Sequence, residues 1–186
     1  MYSLKADKDI LCKKISIKTK SGRKITALVL SPKEQNIPAP GVLWIHGGGY
    51  ILGMKEMVHM SRAVDLVKQF GAVVISPGYR LAFQSPYPAA LEDCYEVLLY
   101  MRKHSKDLHI RSNQIMVGGE SAGGGLCAAL CMVARDKGEV NIAYPSNMHA
   151  FDMLKPDLQI SKEAAKKFNE HFAYAVDHYF ANNEIF

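Results

Sequence analysis

The rhythm of hydrophobic positions along this 186-residue chain changes near Pro38. Upstream, Ile15, Ile17, Ile25, Ala27 and Val29 alternate with Lys14, Ser16, Lys18, Lys24, Thr26 and Leu28. A period of two is that of a strand with one face in solvent. The pattern predicts strands over 10–18 and 24–31, joined by the turn KSGRK as an antiparallel hairpin of edge strands.

Downstream, the apolar runs GVLWI, AVVIS and QIMVG are continuous, rich in β-branched residues and bounded by glycine or proline. Runs of that kind suit parallel strands buried on both faces. Helical periods fall between them. Residues 56–70 put Met60, Ala63, Val64, Val67 and Phe70 on one face and stop at Gly71, a favourable C-terminal cap. Residues 88–104 do the same with Leu91, Cys94, Tyr95, Leu98 and Met101, and residues 121–136 with Leu126, Ala129, Leu130 and Val133. A last amphipathic helix is expected from Ser161, a candidate N-cap, to about Ala181, with Phe168, Phe172, Ala175, Val176 and Tyr179 as its buried stripe. Strand and helix in strict alternation imply an α/β fold, a mostly parallel twisted sheet with helices on both faces, within a single domain over 1–186.

Composition narrows the class. The chain is 48% hydrophobic and 22% charged, ordinary for a globular domain. No apolar run reaches membrane-span length and the first residues lack a signal-peptide core, so a cytoplasmic protein is expected. Cys12, Cys94, Cys127 and Cys131 lack metal-site spacing and are expected as buried reduced thiols, with no metal and no cofactor. The net charge is +5, and eight of the 23 basic residues precede position 25. The hairpin places them on a solvated face, and no nucleic-acid module accompanies them, so no nucleic-acid partner is expected.

The chemistry is concentrated in two glycine-rich stretches. GGESAGGG, residues 118–125, holds G-x-S-x-G at Gly119, Ser121 and Gly123, after one predicted strand and before a helix. A bare G-x-S-x-G arises by chance in roughly one chain of this length in twenty. The strand-turn-helix setting is what a nucleophile elbow requires, because small residues let the chain turn sharply and expose the serine oxygen. The second stretch, HGGGY at 46–50, ends the strand VLWI. Amides of such a loop can converge with the amide after the serine, here Ala122, to hold an oxyanion. Neither phosphate-loop spacing is present.

With HGGGY, GYRLA (78–82), PYPAALEDC (86–94), GGESAGGG and HAFD (149–152), the chain resembles the α/β-hydrolase superfamily, and within it the hormone-sensitive-lipase-like esterases, over residues 24–181. The resemblance implies Ser121 as nucleophile, His149 as general base, and Gly48, Gly49 and Ala122 as oxyanion donors. It further implies that His46 shapes the glycine loop and that Glu120 sits beneath the elbow. Small acyl esters hydrolysed through an acyl-enzyme would be the substrates.

Two departures stand out. Gly78 replaces the acidic residue that usually precedes the YRLA tyrosine, and Phe83-Gln84 replaces a proline-acid pair. More seriously, the family order is serine, acid, histidine, with several strand and helix units between. Here only residues 122–148 intervene, and the helix uses half of them. Their carboxylates, Asp136 and Glu139, fall near the far end of that helix, leaving Asp152 and Asp157 as substitute acids; Asp152 fits a turn N-cap equally well. VNIAY reads as the start of one strand and YPSNMHAFD as the end of another, fused near 143–146, which suggests an internal deletion seam. An exposed sheet edge there predicts self-association. A catalytically inactive remnant that only binds is the alternative to an esterase weakened by loss of its acid.

Overall fold

In the computed structural model, the structure describes residues 8–138, 144–148 and 159–181. Six strands form one sheet: β1 (Ile10–Lys18), β2 (Lys24–Pro32), β3 (Ala39–Ile45), β4 (Val73–Pro77), β5 (Ile110–Glu120) and β6 (Tyr144–Met148). Their order is β1-β2-β4-β3-β5-β6. The hairpin β1–β2 is antiparallel, with Ile10 opposite Pro32 and Lys18 opposite Lys24. β2 then runs antiparallel to β4, whereas β4, β3, β5 and β6 are mutually parallel. The α/β-hydrolase architecture expected from the sequence is the one observed.

Among the described residues four helices cover the sheet: α1 (Ala63–Phe70), α2 (Ala89–Lys103), α3 (Ala122–Lys137) and α4 (Gln159–His178). Two cores result. One packs Ile25, Leu43, Ile75 and Val117 against Leu98 and Met101 of α2 and Leu130 of α3. The other packs Leu30, Trp44, Val74 and Met116 against Leu66 of α1 and Phe172 of α4. Continuous apolar runs are therefore buried on both faces, as β3 shows with no exposed residue along its length. The amide side chain of the buried Gln114 on β5 donates to the Val176 carbonyl at 2.6 Å and so ties down the end of α4. Among the described residues no helix is long and apolar enough to cross a membrane.

Several expectations need correction. β2 is interior rather than an edge, because β4 pairs with its far side; Leu28, expected in solvent, is buried under α1 in the second core. The helix expected over 56–70 is two pieces, a 3-10 turn at Lys55–Met60 followed by α1. Ser61 breaks it, its hydroxyl donating to the Val58 carbonyl at 2.8 Å and accepting from the Ala63 amide at 3.1 Å. Met60 consequently points outward, 61% exposed. Ser161 lies inside α4 rather than capping it, and Tyr179 lies past its end, exposed. Cys94 and Cys127 are buried, but Cys12 is exposed on edge strand β1, its Sγ 3.8 Å from Nε2 of His59.

Candidate active site

The carboxyl ends of β3 and β5 lie side by side, with Ile45 opposite Gly119. From there β5 turns into α3 at Ser121, whose φ of 53° and ψ of −119° lie outside the regions a serine ordinarily adopts. Ser121 is exposed. The flanking glycines make the turn possible. A Cβ on Gly119 would come within 2.7 Å of the Ile45 carbonyl oxygen, and one on Gly123 within 2.1 Å of the same atom. No larger residue fits at either position without displacing backbone.

The glycine loop closes over this turn from the end of β3. Gly47 lies flat against the elbow, since a Cβ there would meet the Glu120 carbonyl oxygen at 2.8 Å and the Ser121 Cβ at 3.3 Å. Gly48 and Gly49 both take positive φ, 116° and 64°, and the Gly48 carbonyl accepts from the Leu52 amide at 2.9 Å. Loop and elbow are thus in contact, and Ala122, with the amide following Ser121, opens α3 beside them. The positive end of α3 points at the same place, which favours negative charge there.

His46 and Tyr79 hold the loop from below. The His46 ring is buried; its Nδ1 lies 2.7 Å from the Gly47 carbonyl oxygen, to which it donates, and it stacks on Tyr79 with ring centres 4.2 Å apart. The Tyr79 hydroxyl donates to the His46 carbonyl at 2.9 Å. Burial pushes the His46 pKa below its ordinary value and that of Tyr79 above, so both rings are held neutral. Buried, and bonded to Gly47 and Tyr79, His46 is placed to support the loop.

The GYRLA and LEDC stretches meet in a second polar assembly. Asp93 of α2 is fully buried and accepts from the Arg80 amide at 2.9 Å, from its guanidinium at 2.8 Å, and from Arg23 of the β1–β2 turn. Nothing local marks Asp93 as buried, since its partner Arg23 lies seventy positions away. The Phe83-Gln84 departure is also resolved: Gln84 Oε1 accepts from the Leu81 amide at 3.0 Å and closes the loop itself. Beside the elbow, Tyr50, Ala82, Tyr87, Leu91, Gly125 and Leu126 line a mostly apolar cavity of about 410 Å³.

His149, Asp152, Asp157 and Glu139 lie outside the described residues. β6, the strand that leads to His149, pairs with β5 so that Met148 stands opposite Glu120. Asp136 is exposed near the far end of α3 and pairs with Arg135. Of the expected seam at 143–146, residues 144–146 are the first of β6, and Ala143 lies outside the described residues.

An elbow, a glycine loop and this strand order define an α/β hydrolase. Residues 42–183 match the family model described as alpha/beta hydrolase fold, and the chain belongs to that family. It is 34% identical over 131 residues to Esterase LipI of Mycobacterium tuberculosis, covering 68% of this chain and 40% of that protein. It is 32% identical to an esterase of Gibberella moniliformis, covering 68% and 39%. Among solved structures, a bacterial heroin esterase superposes with a TM-score of 0.72 at 34% identity, over 75% of this chain and 44% of that one. Brefeldin A esterase, a bacterial homologue of human hormone-sensitive lipase, gives 0.64 at 28% identity, over 75% and 39%. The chain thus spans well under half the length of these relatives.

Proposed function

We propose that the protein is a serine carboxylic-ester hydrolase acting on short-chain acyl esters through an acyl-enzyme. The observation that carries this reading is the strained, solvent-facing Ser121 pressed against the glycine loop by glycines that admit no Cβ. Ser121 attacks the ester carbonyl, and the tetrahedral oxyanion falls to the amides of Gly48, Gly49 and Ala122. His149 takes the serine proton and returns one to the leaving alcohol; water then repeats the sequence on the acyl-enzyme. The placement of Met148 beside Glu120 supports this, since His149 follows it directly. The 410 Å³ cavity beside the elbow suits a small acyl or alkyl group.

Asp152 or Asp157 serves as orienting acid if either reaches the histidine. With no acid, turnover falls about four orders of magnitude below that of a complete triad, while the oxyanion site still leaves roughly a thousandfold over water. Hydrolysis of p-nitrophenyl acetate and butyrate, with labelling by a fluorophosphonate, tests the reading. Labelling and turnover that both vanish in Ser121→Ala support it. Turnover that persists in Ser121→Ala, or a wild type that neither labels nor turns over, overturns it and favours a binding scaffold.

A further inference from the structure

Gly48 and Gly49 have no side chains to hold them, so their amides are fixed beside Ser121 from the two ends of the glycine loop. One end is held through the buried His46 and through Gly47, which lies against the elbow. At the other end stands Tyr50, with a φ of 65°, in the left-handed region that favours glycine. On the side that a Cβ of Gly49 would occupy, no described atom lies within 4 Å. The Gly48 carbonyl accepts from the Ile51 amide at 3.2 Å and from the Leu52 amide at 2.9 Å, which folds the chain back around Tyr50. The Tyr50 carbonyl accepts from the Ala82 amide at 2.8 Å and ties this tip to the loop after β4. Those bonds shape the tip without joining it to α3.

The Tyr50 side chain makes that join. Three consecutive glycines, 123–125, stand in the first turn of α3, although glycine is the poorest helix former after proline. Gly123 is required by its close approach to the Ile45 carbonyl. Gly125 faces something different. Among the described residues, a Cβ there would meet Tyr50 alone, its hydroxyl oxygen at 2.5 Å and its Cζ at 3.8 Å. The Tyr50 ring thus reaches from the tip of the glycine loop to the helix turn in which the Gly125 amide donates to the Ser121 carbonyl at 3.3 Å. A bulky residue persists in such a backbone conformation where the surrounding structure imposes it, and such residues gather at functional sites.

We infer that Tyr50 is a positioning residue: its ring, seated on the bare helix surface at Gly125, props the glycine loop at the distance from Ser121 that the oxyanion amides require. What those amides do rests on the ester-hydrolase reading; how they are held rests on the contact itself.

The contact can be broken from either side. Gly125→Ala puts a methyl group where the Tyr50 hydroxyl sits. It should lower kcat on p-nitrophenyl acetate, and the rate of fluorophosphonate labelling, about ten- to a hundredfold, the larger figure being what a misplacement of roughly 1 Å costs. KM should change little, because the loss falls on the transition state. Adding Tyr50→Phe removes the colliding oxygen and leaves Cζ in ordinary contact with the new methyl group, so most of the rate should return. Tyr50→Gly separates positioning from stability: glycine suits this φ, so the urea midpoint should hold while kcat falls about tenfold or more. Hydrogen exchange of the 48–52 amides should quicken in Gly125→Ala and in Tyr50→Gly, and slow again when Tyr50→Phe is added to Gly125→Ala. Wild-type turnover in Gly125→Ala or in Tyr50→Gly overturns the inference, as does a double variant no faster than Gly125→Ala. If the wild type neither labels nor turns over, the ester reading falls and exchange decides alone: equal protection in Gly125→Ala and wild type removes the prop, whereas faster exchange reversed by Tyr50→Phe upholds it.

Discussion

Two polar assemblies support the candidate site, and different forces hold them. Around Ser121 the fit is made by backbone: Gly119 and Gly123 let the ends of β3, β5 and α3 approach until no Cβ can be inserted. Around Asp93 it is made by side chains, one buried carboxylate gathering Arg80 from the loop after β4 and Arg23 from the hairpin turn. Backbone packing fixes position but tolerates no change in volume. A charge cluster tolerates a change in shape but not the loss of a charge, because the partners are left unpaired in a poorly solvated place.

Gly123→Ala tests the first half of this contrast and should have the largest effect. Its Cβ meets two carbonyl oxygens, of Ile45 and His46, neither of which is a flexible side-chain end. A loss of about 4 kcal/mol or more in urea unfolding, or no folded protein at all, is expected. Gly49→Ala, in the glycine loop after β3, is the control: φ is +64°, yet nothing lies within 4 Å. It should cost only the left-handed penalty, about 1–2 kcal/mol. Equal effects at the two positions would show that conformation rather than close approach dictates glycine in this region.

Asp93→Asn addresses the second half. Removing the charge leaves Arg23 against a neutral amide, while Arg80 keeps Glu92 as a partner, at a cost of about 1–3 kcal/mol by denaturant unfolding. Adding Arg23→Met to Asp93→Asn should recover part of that loss. Failure of the second substitution to recover any would mean that Arg23 contributes little to the cluster.

Tyr79→Phe sits between the two assemblies and should be milder. The ring keeps its stack on His46 while the His46 carbonyl loses one donor, a change of about 1 kcal/mol.

The contrast also explains what could be read from the residues alone. Backbone-determined features were legible because glycine, proline and apolar periodicity mark them locally. The bounds of β1 and β2, the parallel runs, α2 and the Ser121 turn all follow from short windows. Features made by distant partners were not. Asp93 reads as an ordinary charge on an amphipathic helix until Arg23 folds against it. Leu28 reads as solvated until β4 pairs beside β2 and α1 covers it. Cys12 reads as a core thiol, yet edge strand β1 leaves it outside, and Ser61 divides a helix whose apolar period alone runs straight through it.

The smallest expected effect is a pH dependence of the glycine loop. Burial lowers the pKa of His46, with the Gly47 hydrogen bond and nearby Glu56 opposing and Lys55 assisting. The unfolded chain therefore binds a proton more readily than the folded one, and stability rises with pH across the interval between the two values. The contribution is complete above the unfolded value of 6.5 and is lost as pH falls below it toward the lower folded value. Glu56 moves in a separate window: its folded pKa lies below 4.5, chiefly through its bond with Lys55, so its contribution is lost only in more acidic solution. Urea midpoints should therefore fall between pH 7 and pH 5 in the wild type. His46→Gln, whose side-chain amide can still donate to Gly47, should be less stable at pH 7 and show a flatter profile over that span. A slope unchanged in His46→Gln would place the titrating group elsewhere and remove the buried neutral imidazole from the account of how this loop is held.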